Sequence, residues 1–124
     1  MILEFSIENT YSIKERQTIS FEAVGDVDDQ HIINAGNKKL LKLAAVYGAN
    51  ASGKSNILKA FDFYIQFILD SFTQLKPDEK IYFEPFFFDE TTRQSSGFFE
   101  IVFYLNNNWY KYQIRLNKEK VLSE

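Results

Sequence analysis

The 124-residue chain has no cysteine, a single histidine and no long apolar run. Without cysteine there is no disulfide framework, zinc ribbon, iron–sulfur cluster or thiol catalysis. With His31 as the one histidine, the composition argues against a His-rich metal site or a His-based triad. No stretch approaches the roughly 18 apolar residues needed to cross a bilayer. The opening Met1-Ile2-Leu3-Glu4-Phe5 lacks the basic and apolar regions of a secretory signal. The expectation is therefore a cytoplasmic chain with no membrane partner. Basic residues are also short, 14 Lys and Arg against 17 Asp and Glu, which argues against a dedicated nucleic-acid-coating surface. Aromatic residues, by contrast, are in excess: 13 Phe and 7 Tyr are more than a core of this size needs. The length fits one globular domain that buries about two thirds of its unfolded surface.

Leu3, Phe5 and Ile7 alternate with Glu4, Ser6 and Glu8, the period of a half-buried strand, and Asn9-Thr10 interrupts it. Ile19, Phe21 and Ala23 form a second alternation that pairs with the first as a meander. Residues 25–39 carry Asp26, Asp28, Asp29, Asn34, Gly36 and Asn37 without a period and read as a loop. Leu40 to Tyr47 is nearly continuous in apolar character, which predicts a strand buried on both faces of a parallel sheet. Ile57, Leu58, Phe61, Ile65, Ile68, Phe72 and Leu75 then recur at helical spacing. They predict a helix from about Lys54 to about Leu75, stopped by Lys76-Pro77-Asp78. The aromatic run Ile81 to Phe88 is broken by Pro85, which limits it to an edge strand or two short pieces. Phe99 to Leu105 and Tyr110 to Leu116 alternate on either side of Asn106-Asn107-Asn108, a hairpin signal.

Between the apolar run and the helix lies Gly48-Ala49-Asn50-Ala51-Ser52-Gly53-Lys54-Ser55, the phosphate-loop pattern of Gly, four residues, Gly, Lys and Ser or Thr. Gly48 permits the tight turn that ends a strand, and Gly53 lets backbone approach phosphate where a Cβ would intrude. Successive N–H groups form an anion nest at the positive end of the helix. Lys54 is placed to reach the β- and γ-phosphates, Ser55 to hold Mg²⁺, and Asn50 and Ser52 to add polar contacts to the γ-phosphate. Four fixed positions arise by chance in roughly one chain of this length in a few hundred. A strand before the loop and a helix after it are the context that the motif requires.

The stretch Leu40 to Phe61 resembles the Walker A region of the RecF/SMC-like branch of ABC-type ATPases. It is similar in particular to bacterial AAA-family ATPases related to the overcoming-lysogenization-defect group, several of which serve in phage defence. Asn50, Ser52-Gly53-Lys54-Ser55 and Asn56-Ile57 carry the likeness, and Met1 to Phe21 and Pro85 to Glu124 resemble the rest of the family's amino-terminal lobe. The resemblance implies an α/β fold, a P-loop NTPase lobe of ABC type with strands around one long P-loop helix and an antiparallel aromatic hairpin. It implies ATP and Mg²⁺ as cofactors, Lys54 as the catalytic residue and Ser55 as the metal ligand. Gly48, Asn50, Ala51, Ser52, Gly53, Lys54, Ser55 and Asn56 are the implied nucleotide contacts. Nucleotide-driven homo-oligomerisation follows from the same likeness, and so does a DNA or effector-protein partner. The sequence departs from the family where a basic residue usually precedes a Ser after the first strand. Tyr11 stands there, leaving Lys14 or Arg16 as substitutes, or no contact at all.

Hydrolysis also needs a Walker B strand, a glutamine loop and a signature segment. Phe86-Phe87-Phe88-Asp89-Glu90 mimics Walker B, but Pro85 is unsuited to a central strand, so Asp89 and Glu90 read as loop-entry acids. Ser95-Ser96-Gly97 is too short for a signature, and Gln113 reads as an ordinary strand residue. A guanine-specificity segment is missing, since Asn37-Lys38-Lys39-Leu40 lacks the Asp and precedes the loop. The expectation is an incomplete amino-terminal lobe over 1–124 that alone binds ATP weakly or not at all, with negligible turnover. Most of the Phe fall after Lys54, and such a lobe would leave some of them exposed. The alternatives are a compact P-loop kinase using Asp89 and a non-enzymatic nucleotide-sensing or interaction module.

Overall fold

The computed structural model describes residues 1–50, 52–71 and 80–124. In chain order the elements are β1 (Ile2–Glu8), β2 (Gln17–Ser20), β3 (Ile32–Ala35), β4 (Lys38–Leu41), α1 (Lys54–Ser71), α2 (Glu90–Arg93), β5 (Gly97–Leu105), β6 (Asn108–Leu116) and β7 (Val121–Ser123). A five-stranded sheet has the order β2-β1-β5-β6-β7, and β3 and β4 pair separately. Every strand pairing is antiparallel. The mixed α/β character stands, but the expected parallel sheet does not.

Alternation along β1 and β5 divides the side chains between two faces. Phe5, Ile7, Phe99 and Ile101 meet Ala60 and Tyr64 of α1, with Phe83, Ile114 and Leu116 closing the main core. The Tyr64 hydroxyl, fully buried, donates to Tyr112 O at 2.9 Å, and its ring stacks on Phe99. Each fully buried side chain of this kind contributes about 1.5–3 kcal/mol. A smaller cluster forms on the other face, where Leu3, Ala35 and Leu40 pack with Val102, Tyr104 and Trp109. Leu3 was expected beside Phe5 and Ile7. The register shifts between Ile2 and Glu4, however, and this bulge turns Leu3 to the opposite face.

The β5–β6 hairpin turns at Asn106 and Asn107 with φ of 49° and 63°, the left-handed angles that Asn tolerates in a tight turn. Residues 25–39, expected as a loop, contain β3 and the start of β4. The two strands are joined by Gly36-Asn37, with Gly36 at φ 60° supplying the first position of a two-residue turn.

The run Leu40 to Tyr47 forms no central strand. Only its first two residues belong to β4, and Leu43 and Tyr47 are 83% and 90% exposed. A strand covered on both faces needs neighbours on each side. Among the described residues no strand pairs with 42–49. Ile81 to Phe88 is likewise irregular, tied by Ile81 N to Lys118 O and by Glu84 O to Tyr11 N. The predicted end of the helix, Phe72 to Leu75, lies outside the described residues. Many aromatics pack in or against the two clusters, and among the described residues the exposed ones are Tyr47, Tyr82, Phe87, Phe88 and Tyr110.

Candidate functional site

Helix α1 begins at Lys54, directly behind the second glycine of the loop. Gly53 has φ 91°, a conformation costly for any residue with a Cβ. A Cβ on Gly53 would stand 2.9 Å from Ser12 Oγ, and one on Gly48 would stand 2.9 Å from Ser52 Oγ. Close approach thus favours glycine at both positions, and the backbone angle favours it at Gly53 as well. Ser52 N donates to Ala49 O at 3.2 Å, which closes the loop on itself. Asn56 N and Ile57 N both donate to Gly53 O, at 2.9 and 3.2 Å. The N–H groups of Gly53, Lys54 and Ser55 are at the head of the helix, where no helical acceptor precedes them. Together with the helix dipole they make an anion-attracting end.

Lys54 curls back over this loop. Its Nζ donates to Gly48 O at 2.8 Å and to Ala49 O at 2.6 Å, with Ser52 Oγ at 3.4 Å. The ammonium is therefore held against the loop carbonyls. Ser55 is exposed, and its hydroxyl makes no hydrogen bond among the described residues. Asn50 is exposed in a turn, and Ala51 lies outside the described residues. Asn56 does not face a ligand alone, because its Nδ2 donates to Ser12 Oγ at 2.8 Å.

A cleft of about 380 Å³ opens beside the loop, lined by Ser52, Gly53 and Ile57 on one side and by residues of the turn after β1, including Ser12 and Lys14, on the other. Lys14 binds Asp89 Oδ2 at 2.7 Å. This hydrogen bond, with those from the Thr91 hydroxyl and N–H, holds the Asp89 carboxyl well below the usual carboxylate range, and Asp89 in turn raises Lys14. Asp89 caps α2 and does not end a strand, so the Walker B likeness is one of sequence alone. Of the two substitutes considered for the missing basic residue, Lys14 lines the cleft. Arg16 is turned away, bound to Glu8 at 3.2 Å and lying 3.9 Å over the Phe98 ring.

Among the described residues no three His, Asp or Glu gather as a metal site. The donors present suit a polyphosphate: two glycines that admit backbone, a helix head, one ammonium and the hydroxyls of Ser52 and Ser55. They fit Mg²⁺ only through the Ser55 hydroxyl combined with phosphate oxygens. Sequence reasoning gave Ser12 no role, although the family resemblance sets a Ser at that point of the turn after the first strand.

Residues 43–124 match the model of a family described as "AAA domain, putative AbiEii toxin, Type IV TA system". The chain belongs to this AAA-domain family. The match begins just before the glycine loop and takes in α1 and the β5–β6 hairpin, while β1, which supplies Phe5 and Ile7 to the main core, lies before it. No curated protein and no solved structure matches the chain. Membership supports a nucleotide-binding, ATPase-like function.

Proposed function

We propose that the chain binds ATP through Gly48 to Ser55, as the amino-terminal lobe of an ABC-type, SMC-like ATPase head related to the overcoming-lysogenization-defect group. The observation that carries the reading is the loop itself. Gly53 is in a left-handed conformation at the head of an 18-residue helix, and Lys54 is folded over the loop carbonyls. Lys54 serves the β- and γ-phosphates, while Gly53, Lys54 and Ser55 offer backbone N–H groups. Asn50, Ala51, Ser52 and Asn56 border the same site. Mg²⁺, when bound, supplies charge neutralisation between Ser55 and the phosphate oxygens. Hydrolysis belongs to the full ATPase head, with a Walker B acid and a signature segment from a second subunit. Nucleotide-driven homodimerisation then follows, with a DNA or effector-protein partner by likeness alone. No helix among the described residues is long and apolar enough to cross a membrane.

The reading is tested by titrating the chain with ATP into the millimolar range, with and without Mg²⁺. Weak saturable binding that strengthens with Mg²⁺ and is lost in Lys54→Ala is expected. Binding that is unchanged by Lys54→Ala overturns the assignment.

A further inference from the structure

The turn after β1 is strained and heavily braced. Thr10 and Ile13 exchange backbone hydrogen bonds at 2.9 Å in both directions, leaving Tyr11-Ser12 as a two-residue loop. Of these two only Tyr11 has positive φ, 52°, a position that glycine fills in most such turns. Asn9, just before, is also left-handed at φ 51°. Non-glycine residues keep such angles only where the surroundings over-determine them, and they concentrate at functional sites. The surroundings here are explicit. Asn9 and Thr10 are almost fully buried. Asn9 Nδ2 donates to Thr92 O, Ser95 O and Ser96 O, and its Oδ1 accepts from Phe86 N. Thr10 Oγ1 and Tyr11 N both donate to Glu84 O, and the Tyr11 ring packs against the main core.

What this bracing presents is the Ser12 hydroxyl. It accepts from Asn56 Nδ2 at 2.8 Å and lies 2.9 Å from the point a Gly53 Cβ would occupy. One oxygen thus bonds the first turn of the helix and fills the space beside the last glycine of the loop.

We infer that Ser12 is a positioning residue of the phosphate site: it sets Gly53 and Asn56 so that the head of α1 is shaped for an anion before one arrives. The inference rests on the reading of Gly48 to Ser55 as the phosphate loop. Preorganisation lowers the cost of ordering the loop on binding, so losing Ser12 weakens affinity without loosening the fold. Ser12 is exposed and stands outside the main core.

The experiment is an NMR titration of the whole chain with Mg·ATP, with amide hydrogen exchange on the same samples. Ser12→Ala is expected to weaken binding about fivefold to tenfold, the loss of one positioned hydrogen bond. Protection at Asn56 and Ile57 should fall while β5 and the melting temperature are unchanged, and Ser12→Thr should restore both affinity and protection. Asn56→Ala removes the other end of the bond, and the double variant should be no weaker than the weaker single one. An additive double variant, or Ser12→Ala with wild-type affinity, overturns this inference while Lys54→Ala still reports on the loop. If Lys54→Ala binds as the wild type does, the phosphate-loop reading falls and this inference falls with it.

Discussion

Removing the Asn9 side chain is expected to destabilise the chain by about 4 kcal/mol, a sum of two effects that a variant series separates. The Asn9 amide reaches three carbonyls, Thr92 O at 2.9 Å and Ser95 O and Ser96 O at 3.2 Å, with only two protons to donate. Its Oδ1 accepts from Phe86 N at 3.1 Å. Three effective hydrogen bonds at roughly 1 kcal/mol each give about 3 kcal/mol. The left-handed φ of 51° adds about 1 kcal/mol once the residue is Ala. Asn9→Gly removes the bonds but accepts the angle, so it should lose about 3 kcal/mol. Asn9→Asp keeps the acceptor for Phe86 N but sets a carboxylate against three carbonyls, so it should be the one variant that recovers stability on acidification. Urea unfolding followed by circular dichroism measures all three. At about 2 kcal/mol per molar urea, Asn9→Ala lowers the midpoint by about 2 M. Asn9→Ala within about 1 kcal/mol of wild type, or more stable than Asn9→Gly, refutes the reasoning.

Two further predictions concern the neighbouring segment. Asp89 is depressed by Lys14 and Thr91, so its contribution is present above the ordinary carboxylate pKa and fades as pH falls toward its lower folded value. Asp89→Asn should therefore flatten the loss of stability below about pH 4, and an unchanged acid limb in denaturation curves would count against the ion pair. Gly97→Ala sets a Cβ into the ring of buried Phe83, so thermal unfolding should show a loss of about 1–3 kcal/mol, whereas a neutral result would mean that the ring is free to move.

The local signals that the sequence carried well were those written in consecutive residues. The left-handed glycine at Gly53, the start of α1 and the Asn turn between β5 and β6 each depend on a few neighbours with fixed angular demands. The β3–β4 hairpin was also written locally, as Gly36-Asn37 between Ile32-Ile33 and Leu40-Leu41. It was masked by the density of turn-forming residues around it. Other features depended on distant partners. Leu40 to Tyr47 has the composition of a buried strand, yet burial requires neighbours that its own residues do not specify. The bulge that redirects Leu3 is set by pairing with β5, about a hundred residues away. Ser12 looked like an ordinary turn residue. Its meaning comes from Asn56 and Gly53, 44 and 41 positions on.

The central claim is that Gly48 to Ser55 is where a nucleotide triphosphate sits, and mapping backbone amide shifts during Mg·ATP addition tests it most directly. The account predicts that the largest shifts fall on Gly53, Lys54, Ser55 and Asn56, with smaller ones at Ser12, and that all of them vanish in Lys54→Ala. Shifts concentrated on β6 or on 81–88, with the loop amides unmoved, would contradict it.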